Sequence, residues 1–417
     1  MFIGSMAGTG LHIVFAAAGV VVALFGLYLV VLAVAAFFYP RPAGTGQTAS
    51  TRLAVLIPAF NEAALIVRCV KSLRSQTYPA HLYEIFVVAD NCTDGTAANA
   101  RAAGAQVIER HEPNARGKGR ALRFAIDQLL LSQPPPEAIV VVDADSVADP
   151  GFLTALVARF EEGADAVQGE SLLFEDGSAR TALRAAAFLL VNRVRPAGRA
   201  VLGLQSTLAG NGMLLGRTQL LANPWRAFTS AEDLEYALEL RKAGARIAFG
   251  GGAIVYSPAA PDASAAELQQ LRWEGGKLHL ARVWIPTLVW SALRERRPSL
   301  LDTAFALATP PLGFLAAAAA AGVTASAALA SAGLLPLWTT VPWFLALAAI
   351  PLHALIGLRA GRAPASAYRA LLRAPVFVAA KIVTIPRVLR FRADTWIRTA
   401  RAQEAVDSRT RRTDAPG

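Results

Sequence analysis

Two carboxylates spaced i, i+2 close an apolar run over 138–145, in the order Asp143-Ala144-Asp145-Ser146. Side chains two apart on a strand share a face, so both carboxylates converge where the strand ends. Paired like charges are costly without a cation, and Mg²⁺ or Mn²⁺ bridging to a diphosphate would offset the repulsion. A turn built by Asp and Ser after a strand accounts for the same letters. Glu232 and Asp233 open a helix after Ser230-Ala231. A carboxylate at a helix N-terminus stays ionised and suits a base, while Ser230 with Asp233 also fits a capping box. Asp90 closes another strand ahead of Asn91-Cys92-Thr93-Asp94-Gly95-Thr96, a turn and helix-cap sequence when taken alone. Glu62 follows Pro58-Ala59-Phe60-Asn61, where Asn61 can cap the next helix. Gly210-Asn211-Gly212 fits a plain turn, and Arg272-Trp273 beside Gln269 fits a membrane-interface anchor.

The order of these pieces says more than any one of them. Pro58-Ala59-Phe60-Asn61-Glu62, the Asp90 loop, Gly117-Lys118 before an Ala-Leu helix, Asp143-Ala144-Asp145, Gly210-Asn211-Gly212, Glu232-Asp233 and Gln269-x-x-Arg272-Trp273 run across residues 53–280. That succession resembles the family-2 glycosyltransferases, in the membrane-bound branch similar to cellulose, hyaluronan and chitooligosaccharide synthases. The resemblance implies a GT-A fold and an inverting, metal-dependent hexosyl or N-acetylhexosaminyl transfer from a UDP-sugar to a saccharide or lipid-linked acceptor. It implies that Pro58, Ala59, Asn61 and Glu62 line the nucleotide pocket and that Asp90 meets the nucleobase. By the same resemblance Asp143 faces the diphosphate, Asp145 is the direct ligand of Mg²⁺ or Mn²⁺, and Lys118 touches phosphate or sugar. Asp233, with Glu232 beside it, is similar to the general base. Gly210, Asn211, Gly212, Gln269, Arg272 and Trp273 correspond to the acceptor and diphosphate side. One position departs from the pattern: many relatives have Thr before Glu-Asp, and this chain has Ala231.

The elements that must hold these residues are short apolar strands alternating with amphipathic helices. Strands are predicted at 53–58, 84–90 and 138–145, and helices at 62–73, 96–103 and 150–161. Near-continuous apolar strands in that alternation mean a mainly parallel α/β sheet covered on both faces, with ligands at the strands' carboxyl ends. No strand is followed by GxGxxG, and Arg116-Gly117-Lys118-Gly119 lacks a P-loop frame, so dinucleotide and ATPase readings lose their support.

Outside that region the chain changes character. Residues 13–39 are apolar without a charge, longer than the ~20 residues that cross a bilayer. No basic residue precedes the run, which favours a retained anchor over a signal peptide. Further apolar runs cover 303–335, with Pro310-Pro311 near its start, and 337–358, with Trp338 and Trp343 placed for a membrane interface. Residues 374–386 are shorter, hold Lys381 and are flanked by Arg; they suit a segment lying in the interface, or a short span within a bundle. Val283–Trp290 reads the same way.

The expected organisation is an anchor and linker over 1–50, a GT-A domain over 51–265, an interfacial segment over 266–300, two spans over 301–362, and an amphipathic segment with a basic tail over 363–417. Arg41, Arg294, Arg296, Arg297, Arg359 and Arg362 mark the cytoplasmic side, while the N-terminus and the loop near Leu335 carry no Lys or Arg. The expected location is therefore the inner membrane, with the catalytic domain and C-terminus in the cytoplasm, where two unpaired cysteines are at home. The formal charge of +11 follows these boundaries, which argues for lipid headgroups as partners and against nucleic acid. Three crossings make a thin polymer channel. A polyprenyl-phosphate sugar transferase and a catalytically dead scaffold or transporter subunit are the alternatives; the intact Gln269-x-x-Arg272-Trp273 leans against the first and the intact carboxylates against the second.

Overall fold

The computed structural model describes residues 2–40, 50–175 and 177–391. A first helix, α1 (Phe2–Ala35), precedes β1 (Leu53–Ala59), α2 (Ile66–Arg74), β2 (Tyr83–Asp90), α3 (Thr96–Ala102) and β3 (Gln106–Arg110). Then come α4 (Lys118–Leu131), β4 (Ala138–Val141), β5 (Val147–Ala148), α5 (Phe152–Glu161) and β6 (Ala166–Leu173). After α6 (Ala179–Leu189) and α7 (Arg195–Val201) the chain runs through β7 (Met213–Gly216), α8 (Arg217–Ala222), α9 (Glu232–Ala243) and β8 (Ile247–Ser257). It ends in helices: α10 (Ala263–Arg294), α11 (Pro298–Ala308), α12 (Leu312–Ser331), α13 (Thr340–Ala360), α14 (Ala365–Leu371) and α15 (Ala374–Leu389). The expectations placed on Arg41 and on the basic tail from residue 392 lie outside the described residues.

These elements form two compact units. Of the described residues, the α/β unit comprises 40, 50–175, 203–304 and 390–391. Its sheet has the order β3-β2-β1-β4-β7-β6-β8-β5, in which β3, β2, β1 and β4 are mutually parallel and β7 runs antiparallel to both neighbours. Alternate residues of β1 show why its sequence is uninterruptedly apolar. Leu53, Val55 and Ile57 pack with α2 and α5, through Ile66, Val70, Phe152 and Leu156. Ala54 and Leu56 belong to the opposite layer, with Leu122 and Ile126 of α4 and Tyr236 and Leu240 of α9. A strand buried on both faces has no polar alternation to show.

The helical unit comprises the chain up to residue 39, residues 177–202 and residues 305–389. Three of its segments, His12–Phe38, Leu312–Ser331 and Leu337–Ala360, are long and apolar enough to cross a membrane. They meet through small residues, as helices do where lipid offers no hydrophobic contrast. A Cβ on Gly19 would lie 2.9 Å from Trp343 Nε1, one on Gly26 would lie 2.9 Å from Ala349 Cβ, and one on Gly322 would enter the Trp343 ring.

Pro310 and Pro311 delay the second apolar helix within the run 303–335, as their missing donors require: α11 ends at Ala308 and α12 starts at Leu312. Three expectations change. Trp343 is buried in the helix packing; Trp338 is the exposed aromatic. Residues 283–290 belong to the 32-residue α10, which also carries Gln269, Arg272 and Trp273. Finally, residues 177–202, expected within the catalytic domain, cluster with the helical unit as α6, a π-helical turn over Leu190–Val194, and α7.

Candidate active site

The loops after β1 and β2 are knitted to each other. Asn61, with φ +54°, accepts a bond from Thr93 N at 2.8 Å and donates to Thr93 Oγ1 at 3.2 Å. Glu62 N donates to Thr96 Oγ1 at 2.8 Å, and Ala63 N donates to Asp94 Oδ2 at 3.1 Å. Asp94 also accepts from Thr96 N, at the start of α3, at 3.0 Å, while the cap residue itself is Gly95. Asn61 caps nothing: α2 begins only at Ile66. Asp90 is thereby left for other work. Its Oδ1 accepts from Arg110 Nη1 at 2.6 Å and from Asn91 Nδ2 at 2.8 Å, while Arg110 Nη2 reaches the Ala115 carbonyl at 2.8 Å. Pro58 and Ala59, the last residues of β1, stand opposite Val88 and Ala89 of β2.

A second cluster gathers beyond β4, which ends at Val141, so Asp143 and Asp145 sit on a turn and strand alternation does not orient them. Lys118, the first residue of α4, donates to Asp143 Oδ1 at 2.5 Å and to the Gly210 carbonyl at 2.7 Å. Asn211 Oδ1 accepts from Asp143 N at 3.0 Å, and Asn211 Nδ2 donates to Ser146 Oγ at 2.9 Å. Gly210 and Gly212 adopt φ of +73° and +69°, and a Cβ on Gly210 would lie 2.9 Å from Asp233 Oδ2. Gln168 holds the turn from behind, donating to the Asn211 carbonyl at 2.8 Å and accepting from Ala209 N at 2.8 Å. Asp145 is buried beside Ser146, and its carbonyl accepts from Arg68 Nη2 at 3.3 Å.

The capping box expected around Ser230 does not form. The residue before α9 is Ala231, Ser230 Oγ is buried without a partner, and Glu235 takes the amides of Phe228 and Thr229 instead. Glu232 and Asp233 open α9, with Asp233 Oδ1 accepting from Leu234 N at 2.8 Å. Beside them, a Cβ on Gly276 of α10 would lie 3.0 Å from Ala231 Cβ. Gln269, Arg272, Trp273 and Gly276 share one helix face by their three- and four-residue spacing, so the face carrying these side chains turns toward the start of α9.

Residues 51–276 match the family described as "Glycosyltransferase like family 2". The chain belongs to that family. An uncharacterized glycosyltransferase of Mycobacterium tuberculosis is 34% identical over 121 residues, covering 29% of this chain and 49% of that protein. The beta-monoglucosyldiacylglycerol synthase of Synechocystis is 26% identical over 247 residues, covering 56% of this chain and 49% of that protein. The chain thus matches about half the length of each. Among solved structures, the mannosyltransferase PcManGT of Pyrobaculum calidifontis, solved with GDP-Man and Mn²⁺, is similar with a TM-score of 0.51 at 19% identity, over 82% of this chain and 99% of that one. The mixed, mostly parallel sheet is of GT-A type.

Within this family-2 glycosyltransferase, burial dominates the electrostatics of the carboxylates. It pushes Glu232 up to about 7; the Lys118 charge opposes the rise and the Asp233 charge adds to it. Asp233 moves upward for the same cause, again opposed by Lys118. The helix N-terminus alone predicts readily ionised groups, but desolvation outweighs it here. A carboxylate poised toward neutrality is the better proton acceptor at pH 7. Burial works against the Lys118 ammonium, yet Asp143, Glu232 and Asp233 together hold it above its ordinary value. Asp90 is raised by burial, which Arg110 partly offsets.

Among the described residues no group of three or more His, Cys, Asp and Glu assembles into a metal site. Two aspartates on one turn are the donor set that Mg²⁺ takes when substrate phosphates and water supply the other oxygens, and Asp143-Ala144-Asp145 fits that chemistry. Arg110 and Gln168 were missed in the sequence. Arg110 becomes visible only through the register Asp90↔Arg110, and β3 had not been predicted.

Proposed function

We propose that the chain is a membrane-bound, inverting glycosyltransferase that moves a sugar from a UDP-sugar to a lipid-linked or saccharide acceptor. The observation that carries it is the meeting of Lys118, Asp143, Gly210 and Asp233 in one locus, with Lys118 2.5 Å from Asp143 and Gly210 lacking room for a side chain beside Asp233. The loops of Asn61, Glu62 and Asp90 would hold the nucleoside, with the second Asp90 oxygen facing the base. Asp143 and Asp145 would hold Mg²⁺ or Mn²⁺, which supplies charge to the leaving diphosphate. Arg272 and Trp273 would cover that diphosphate.

Asp233 accepts the proton of the acceptor hydroxyl as its oxygen forms the new bond to the anomeric carbon. The bond from that carbon to the diphosphate breaks, UDP leaves with the electron pair, and the configuration inverts. The name of the Synechocystis relative describes a glycolipid product, which favours a lipid acceptor over a growing polymer. We place α1, α12 and α13 in the inner membrane with the α/β unit in the cytoplasm.

The test is release of the nucleoside diphosphate by the detergent-purified chain, UDP from UDP-sugars or GDP from GDP-sugars, followed by mass spectrometry of the product. Asp233→Asn should lose roughly 10²-fold or more in turnover, in keeping with general-base catalysis, while still binding UDP. Chelation should abolish release and Mg²⁺ or Mn²⁺ restore it. Near-normal turnover of the variant overturns the base, full activity in chelator overturns the metal, release of GDP alone overturns the UDP-sugar donor, and no nucleoside diphosphate release with any donor favours a dead scaffold.

A further inference from the structure

Charge poses the problem. The segments 1–39, 177–202 and 305–389 that make up the helical unit contain eleven Arg and Lys and no Asp or Glu. The whole formal charge of +11 therefore falls in this unit, and the other 30 basic residues of the chain balance its 30 acidic ones. Nothing inside the unit can neutralise a cation that is taken out of water.

Arg195 is such a cation. It is the first residue of α7, directly after the π-helical turn over Leu190–Val194, a kind of irregularity that often accompanies a functional site. Its Nε and Nη2 are buried and have no hydrogen-bond partner. These two N–H groups point the same way and form the side of the guanidinium that grips two oxygens at once. The neighbours do not use it. Tyr28 of α1, whose hydroxyl is within reach of the Arg195 charge, already accepts from Arg199 Nη1 at 2.5 Å. His353 of α13 lies close enough to feel the same charge; its Nδ1 is engaged with the Leu29 carbonyl at 2.8 Å, and its Nε2 is also without a partner. The α7 backbone is pressed onto α1, since a Cβ on Gly198 would fall on the Leu32 carbonyl. A two-pronged donor, a second cation and an imidazole thus gather with no anion among them.

We propose that Arg195 binds the phosphate of an anionic membrane lipid, at the junction of α1, α7 and α13. The phosphodiester presents two oxygens to Nε and Nη2, and the acyl chains lie along the apolar surfaces of α1 and α13. Arg195 as a residue is only half-buried, so rotation of its long side chain brings the fork to the lipid-facing surface, as snorkelling arginines do. The lipid supplies the negative charge that the unit's sequence lacks. This inference rests on the reading of α1, α12 and α13 as membrane spans.

The test uses the full chain, delipidated in an uncharged detergent, with lipid binding followed by native mass spectrometry. The probes are phosphatidylglycerol, diacylglycerol, which has the same acyl chains and no phosphate, and inorganic phosphate. Wild type should bind phosphatidylglycerol roughly tenfold or more tightly than diacylglycerol, the scale of a lost pair of charge-assisted hydrogen bonds. Arg195→Gln should erase that preference. Arg195→Lys keeps the charge without the fork and should lose most of it, and provides a second reading if the glutamine variant does not fold. Arg369→Gln, which removes an exposed cation elsewhere in the same unit, should leave the preference intact. Retention of the preference in both Arg195 variants overturns the site. Equal loss in Arg369→Gln overturns it in favour of diffuse attraction. Displacement of phosphatidylglycerol by inorganic phosphate at comparable concentration replaces the lipid with a free anion. A chain that stays soluble without detergent overturns the span reading itself; one that needs detergent but shows no preference overturns only this proposal.

Discussion

At Glu232, burial keeps a proton that water would remove at neutral pH, and the consequence for stability has a definite sign. The ordinary value is 4.5 and the folded value about 7, so between them the folded chain holds a proton that the unfolded chain has released. Stability from this group is complete below the lower value and is lost as pH rises through the upper one. Glu232→Gln removes the titration. In melting curves without metal or donor, wild type should lose ground to Glu232→Gln as pH climbs from 4.5 to 7 and then run level with it; parallel curves throughout would show that Glu232 is solvated. Arg110 acts at the same scale, beside the loops proposed to hold the nucleoside. It ties Asp90 Oδ1 to the end of β3, leaving the second oxygen for a base. Arg110→Met should weaken UDP binding about tenfold, as loss of one charge-assisted bond does, with turnover at saturating donor little changed. A calorimetric titration with UDP decides this, and unchanged affinity would release Asp90 from base recognition.

One helix-on-helix approach governs how α10 meets the start of α9, where Glu232 and Asp233 stand. Gly276 lies on Ala231, and a Cβ there would crowd both Ala231 Cβ at 3.0 Å and Ser230 Oγ at 3.1 Å. The small residue at 231 is thus paired with a glycine across the contact, which gives a packing reason for Ala231. Gly276→Leu should lower turnover by an order of magnitude or more while UDP affinity holds, because misplacing a positioning element costs on that scale; a variant with normal turnover would mean that α10 does not set the site.

The same scale shows what the sequence could disclose. β1, β2 and β4 were legible because burial on both faces leaves an unbroken apolar run. β3 was not, since Gln106-Val107-Ile108-Glu109-Arg110 lies at the sheet edge with Gln106 and Glu109 exposed. The motif residues were recognisable by order alone, but the Lys118–Asp143 and Asp90–Arg110 pairs join segments 25 and 20 residues apart and needed the fold to bring them together. Residues 177–202 escaped because five arginines mask a segment that clusters with apolar helices.

For the whole molecule, the distribution of cations within the helical unit argues for one orientation in the membrane. His12 Nε2 is 3.1 Å from the Leu334 carbonyl, so the start of the first span lies beside the loop between α12 and α13. That end of the unit has no Lys or Arg. The other end has Arg359 and Arg362 after α13, with Arg193 donating to the Gly361 carbonyl at 3.2 Å. Basic residues stay on the cytoplasmic side, so Leu334 should face outward and Arg362 inward. Both positions are exposed and suit single-cysteine reporters once Cys69 and Cys92 are replaced. A membrane-impermeant maleimide should label Leu334→Cys on intact cells, and Arg362→Cys only after permeabilisation. In a chain keeping only Cys92, half-exposed in the α/β unit, labelling should also wait for permeabilisation. Labelling of Arg362→Cys but not Leu334→Cys on intact cells would invert the orientation, and labelling of both would remove an odd number of crossings between them. Access for Cys92 from outside would be the most damaging result, because a nucleotide-sugar donor made in the cytoplasm could not then reach Asp90 and Asp143.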